Sequence, residues 1–110
     1  MQPYFSVIIP VFNGEARLAL TLDSVCHQTF RDFEIIVVDD GSIDKTSEIV
    51  AAYCEKEPQS VRYFYKNNGG VSSARNSGIA KATGKFVTFL DSDDLLEENY
   101  LQRMYDALEK

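Results

Sequence analysis

Histidine, cysteine and tryptophan are nearly missing from this sequence, and the first two shortages close off a class of function. Among 110 residues there is one histidine, there are two cysteines, and there is no tryptophan. A structural zinc site needs a full set of His or Cys ligands, and Cys26 and Cys54 have neither CxxC spacing nor a His cluster nearby. They read as buried thiols in a reducing compartment. Basic residues are also scarce: 11 Lys and Arg stand against 17 Asp and Glu, a net charge of −6. That balance is a poor footprint for a phosphate backbone, so no nucleic-acid partner is expected. No apolar run approaches the ~20 residues that cross a bilayer, and Met-Gln-Pro-Tyr-Phe-Ser at the start lacks the basic and then apolar profile of a signal peptide. A cytoplasmic location is the resulting expectation. Glycine-rich phosphate loops are absent too. No G-x-G-x-x-G follows the first apolar run and no G-x-x-x-x-G-K-[ST] occurs, which argues against dinucleotide oxidoreductases and P-loop NTPases.

What is present is a fourfold alternation of strand and helix. Residues 5–11 are rich in β-branched side chains and apolar on both faces, as in a central parallel strand covered on both sides, with Pro10 expected to mark its end. Residues 15 to about 27 read as a first helix, 33–38 as a second buried strand, and 44 to about 55 as a second helix. Residues 61–65 alternate like an edge strand, and the small residues from Ser72 to about Thr83 predict a helix lying close on its sheet and closed by Gly84 at C′. Residues 86–90 read as a fourth buried strand and 95–110 as a fourth, amphipathic helix. This order predicts an α/β fold: an open, mainly parallel sheet with flanking helices, four βα units in a single domain spanning 1–110. The last helix reaches Lys110 with no Gly or Pro terminator, so the sequence is expected to be a fragment truncated at its carboxyl end.

Polar residues gather behind the strands, where open α/β sheets bind ligands. Residues 86–94 turn from an apolar run into three carboxylates within four positions, Asp91, Asp93 and Asp94. Like charges so close repel unless a divalent metal or a hydrogen-bond network neutralises them. Strand alternation is expected to point Asp91 and Asp93 the same way. A site offering carboxylates instead of a glycine nest holds a diphosphate through a bridging Mg²⁺ or Mn²⁺, with Asp93 the first choice of ligand and Asp91 the second. Asp39 or Asp40, ending another strand, is placed to accept hydrogen bonds from a base or sugar, and Arg75 to complement phosphate. Simpler readings compete with each of these. Ser92, Asp93 or Asp94 caps a helix starting near Leu95, Asp39 to Ser42 is only a turn, Arg75 is a solvated charge, and His27 sits on the surface near a helix end. From another functional class, a receiver-like regulatory module also gathers acids around Mg²⁺. It would need its acid pair where Pro10-Val11-Phe12-Asn13 stands, and a Lys after a fifth strand.

Five ordered stretches carry a family resemblance. They are Val7 to Glu15; Ser24-Val25 with Gln28-Thr29-Phe30; Glu34 to Thr46; Asn68-Gly69-Gly70 with Ser73 to Gly78; and Phe89 to Asp94. Together they resemble the family 2 glycosyltransferases. The resemblance implies a GT-A fold, a nucleotide-diphosphate-sugar donor, usually a UDP-sugar, and inversion at the anomeric carbon. Carried over by motif position, Pro10, Val11, Phe12 and Glu15 line the nucleotide pocket, Asp40 holds the base and Asp39 supports that loop. Arg75 resembles the basic residue that approaches the nucleotide, and Asp91-Ser92-Asp93 resembles a DxD motif. Its first Asp approaches the ribose or donor sugar, and Asp93 binds the Mn²⁺ or Mg²⁺ that bridges the diphosphate. The acceptor implied is a saccharide or lipid-linked hydroxyl in polysaccharide, glycolipid or glycoprotein synthesis. The catalytic base is expected beyond Lys110, together with any part that associates peripherally with the cytoplasmic face of the membrane.

Overall fold

A computed structural model describes residues 2–57 and 60–110. Four strands, β1 (Phe5–Val11), β2 (Phe33–Asp39), β3 (Val61–Tyr65) and β4 (Phe86–Phe89), alternate with four helices, α1 (Leu18–Cys26), α2 (Thr46–Lys56), α3 (Val71–Lys81) and α4 (Tyr100–Leu108). The strands form one parallel sheet in the order β3-β2-β1-β4. Strand order therefore reverses between β1 and β4, the place where such sheets bind ligands. A receiver-like sheet has the order 2-1-3-4-5 instead, so this topology excludes that alternative.

Every residue of β1 and β2 is buried, because helices cover both faces. On one face Phe5, Val7, Ile9, Phe33, Ile35 and Val37 pack with Leu18, Leu22, Val50 and Leu101 from three helices. On the other, Ile8, Ile36 and Val38 pack under α3 through Ala74. The small residues of α3 make that approach possible: a methyl on Gly78 would overlap the Ile8 side chain.

The structure revises five local expectations. Pro10 lies within β1 rather than ending it, opposite Val38. Leu90 donates to the carbonyl of Ile8, so residue 10 faces the same side, where β4 has already ended and no N–H is required. Gly84 is not a helix cap, since α3 ends at Lys81 with Ala82 extended. Its bare Cα lets the chain pass against β1, where a Cβ would lie 2.7 Å from the Ser6 nitrogen. α4 begins at Tyr100 rather than Leu95, because 95–98 is strapped to the end of α1 instead. Leu96 donates to Ser24 Oγ, and the carbonyls of Glu97 and Glu98 accept from Gln28 Nε2 and the Thr29 amide at 2.7 and 2.9 Å. Buried Gln28 also accepts the Leu101 N–H, one of the amides a helix start leaves unpaired. β4 is an edge strand with half-exposed Val87 and Phe89, not a covered one. Cys26 and Cys54 are half-buried free thiols whose pKa burial pushes up.

Candidate functional site

A cavity of about 430 Å³ opens over the carboxyl ends of the strands. Pro10, Val11 and Phe12 form one wall with the turn leading to Arg17, Asp40 closes another, Val71 and Ala74 of α3 a third, and Asp91, Ser92 and Asp93 the fourth. Segments that follow all four strands thus meet at one space, as chain topology dictates. Seven of the residues singled out in the sequence line it: Pro10, Val11, Phe12, Asp40, Asp91, Ser92 and Asp93. Glu15, Asp39 and Arg75 stand behind or beside the lining.

Asp40 is almost wholly buried, yet held ionised. Its Oδ1 accepts from Lys66 Nζ at 2.8 Å and the Gly69 amide at 2.9 Å, and its Oδ2 from the Gly70 amide at 2.9 Å. Burial alone would raise its pKa, but the lysine and the two amides outweigh burial and hold the carboxyl below the usual range. The same bonds fix the glycine loop that opens α3, and Gly70 there takes φ 97°, a left-handed value that glycine adopts without strain. Asp39 points to the opposite face and is fully buried. It accepts from the Ser42 amide at 2.9 Å and the Tyr63 hydroxyl at 2.5 Å, bracing the loop from behind.

The β1–α1 turn is fastened to the β2–α2 loop through its own backbone donors. The amides of Asn13, Gly14 and Glu15 donate to Ser42 Oγ, Thr46 Oγ1 and Asp44 Oδ2 at 2.7, 2.9 and 3.1 Å, while Asn13 Oδ1 accepts from the Ile43 amide. In glycine-loop nucleotide folds the amides of this turn bind phosphate. Here they are already satisfied. A phosphate in this cavity must find its positive charge elsewhere.

Asp91, Ser92 and Asp93 follow β4 in a tight turn, closed by the Asp94 amide donating to the Asp91 carbonyl at 3.1 Å. The turn, not strand alternation, brings Asp91 and Asp93 to one cavity, because β4 ends at Phe89. With α4 starting at Tyr100, these acids cap no helix. Thr21 Oγ1 of α1 holds the Ser92 carbonyl at 2.8 Å, anchoring the turn. Arg75 lies beside it, Nη2 at 3.5 Å from Asp91 Oδ1 and guanidinium 5.6 Å from the centre of the Phe89 ring. As a metal site the pair is partial: among the described residues no three His, Cys, Asp or Glu side chains come together to hold an ion. Two carboxylates are nevertheless the hard oxygen donors that Mg²⁺ or Mn²⁺ uses when phosphate oxygens and waters complete its shell, so the residues fit such an ion.

The glycosyl transferase family 2 profile matches residues 6–110. The chain belongs to this family. Glycosyltransferase GlyA of Streptococcus pneumoniae is 42% identical over 103 residues, covering 94% of this chain and 15% of that protein. Staphylococcus aureus TarS 1–349 in complex with UDP superposes with a TM-score of 0.89 at 34% identity, over 96% of this chain and 32% of that one. The mannosyltransferase PcManGT of Pyrobaculum calidifontis, in complex with GDP-Man and Mn²⁺, gives a TM-score of 0.79 at 28% identity, over 86% and 29%. The fold is therefore that of the amino-terminal portion of the GT-A architecture of family 2 enzymes. The chain spans about a third or less of the length of each of these relatives.

Within this family 2 domain, sequence reasoning missed Lys66, Tyr63 and Arg17. Lys66 follows the carboxyl end of β3, and a position behind a strand end was the signal that could have flagged it. Tyr63 falls in the expected edge strand 61–65, and its hydroxyl contact with Asp39 depends on the β2–β3 pairing. Arg17 read as part of a helix, but it precedes α1 and lines the cavity.

Proposed function

We propose that this chain is the donor-binding part of an inverting glycosyltransferase that takes a nucleotide-diphosphate sugar, a UDP-sugar first among them, and passes the sugar to a saccharide or lipid-linked hydroxyl. The observation that carries the reading is one cavity at the β1/β4 reversal that joins Pro10 to Phe12, Asp40 and the Asp91 to Asp93 turn. Asp40 sits at the base end. A carboxylate has about four acceptor positions, three of them used here, which leaves about one for a donor on the base. Asp93 and Asp91 sit at the diphosphate end and are the groups that would hold Mn²⁺ or Mg²⁺. When bound, that ion offsets the charge developing on the leaving diphosphate. Solved relatives in complex with UDP and with GDP-Man and Mn²⁺ support a nucleotide-sugar donor used with a divalent ion. During transfer the bond from the anomeric carbon to the phosphate oxygen breaks with its electron pair on the oxygen, while the acceptor oxygen bonds to carbon and gives its proton to a general base. We assign that base to none of the residues described.

Calorimetric titration tests the reading. UDP is expected to bind the folded chain in the presence of Mn²⁺, and Asp93→Asn to abolish the metal-dependent part while changing unliganded stability by no more than about 0.5 kcal/mol, as for an exposed side chain. Failure of folded protein to bind either UDP or GDP with Mn²⁺ or Mg²⁺ would sink it.

A further inference from the structure

The cavity wall contains three carboxylates, Asp40, Asp91 and Asp93, and a single cationic side chain, that of Arg17. The other nearby cations are engaged. Lys66 is bound to Asp40 at 2.8 Å, and Arg75 is drawn to Asp91 and the Phe89 ring outside the lining. Among the described residues Arg17 has no ion-pair partner, and its side chain is exposed. Its place is set by the first turn of α1. The Thr21 amide donates to the Arg17 carbonyl, so the two residues are one helical turn apart on the same side, and Thr21 is the residue that grips Ser92. Arg17 thus lines the cavity from the start of the helix whose Thr21 grips the Asp91–Asp93 turn.

We propose that Arg17 is a donor-positioning residue that hydrogen-bonds the distal phosphate, the one bonded to the sugar. The proposal rests on the donor-binding reading above and deepens it. A divalent ion is balanced by the two carboxylates that hold it, and the β1–α1 amides that would otherwise receive phosphate are occupied by Ser42, Thr46 and Asp44. The diphosphate therefore still needs a cation, and a free guanidinium offers paired N–H donors matched to phosphate oxygens. Arg75 already shares its charge with Asp91, whereas Arg17 shares its charge with no carboxylate among the described residues.

The test compares UDP and UMP, each titrated with Mn²⁺ into wild type, Arg17→Gln, Arg17→Lys and Arg75→Gln. Arg17→Gln is expected to weaken UDP roughly tenfold or more, the scale of one lost charge-assisted bond, and UMP less than about threefold. Arg17→Lys should recover part of the loss, and the unliganded melting temperatures should coincide, since the side chain is unpartnered. Unchanged UDP affinity in Arg17→Gln, or an equal loss for UMP, overturns the role of Arg17 and leaves the donor-binding reading standing. If wild type itself binds neither UDP nor GDP with metal, both fall together.

Discussion

Asp40 shows how one buried charge is made tolerable and then used. Removing a carboxylate from water is costly, and only an ammonium and two backbone amides aimed at it make the ionised form the stable one. Asn at this position keeps the size but turns an N–H toward one of the donors and leaves Lys66 without its counter-charge. Asp40→Asn is therefore expected to cost about 2–3 kcal/mol, read as a lower urea midpoint with unchanged slope. It should also loosen the 67–70 loop, visible as faster amide exchange at Gly69 and Gly70. The acid itself was legible in the sequence as part of an Asp-Asp-Gly-Ser cluster behind a strand. Its partners were not, because Lys66, Gly69 and Gly70 lie 26 to 30 positions away and meet it only through the β2–β3 pairing.

Among the secondary-structure elements, the strands carry a second buried acid with a different purpose. Glu34 of β2 is buried at the end of the sheet away from the cavity. It accepts from Ser6 of β1 at 2.6 Å, Arg62 of β3 at 2.9 Å, and the amide and hydroxyl of Thr83 at 2.7 and 2.9 Å. One side chain thus ties three strands to the chain segment entering β4. Burial pushes its pKa up, but these donors together win and hold it below 4.5, the usual glutamate value. A depressed acid adds stability that is fully present above its unfolded pKa; below that pH the unfolded chain takes up a proton the folded state still lacks, and the stability disappears as pH falls through the folded value. Glu34→Gln should accordingly lower stability by about 2 kcal/mol at pH 7 and leave a shallower loss below pH ~4.5 in acid-denaturation curves. Equal acid slopes in variant and wild type would remove Glu34 from the account. Periodicity made the four strands readable, since fully buried β1 and β2 have few alternatives. It misplaced the start of α4, because the pattern at Leu95 and Leu96 suits a helix as well as a strap, and the side chains that choose the strap, Ser24 and Gln28, sit on another element.

Taken as a whole, the molecule is one sheet with its helices on both sides, and its site is a property of that arrangement rather than of any single loop. The strand order that places β4 beside β1 was the one topological fact the sequence could suggest only through resemblance, because a run of βα units is compatible with several orders. Once the order is set, the acids of β2 and β4 share a cavity without further adjustment. A Cα radius of gyration of 13.1 Å is what a compact chain of this length has, about 13 Å. The two faces of the core also share the central strands, so neither can open while the other stays packed. Unfolding should then be a single cooperative transition, with far-ultraviolet circular dichroism and tyrosine fluorescence giving the same midpoint. Because the cavity is lined by segments that follow all four strands, a ligand there stabilises the whole unit. UDP with Mn²⁺ at a hundred times its Kd should add about 2.7 kcal/mol and raise the melting temperature by roughly 10–20 °C for a domain of this size. The shift should vanish with chelator or with Asp93→Asn. Two separated transitions, only one of them moved by the ligand, would mean that the cavity belongs to a part of the sheet that folds apart from the rest.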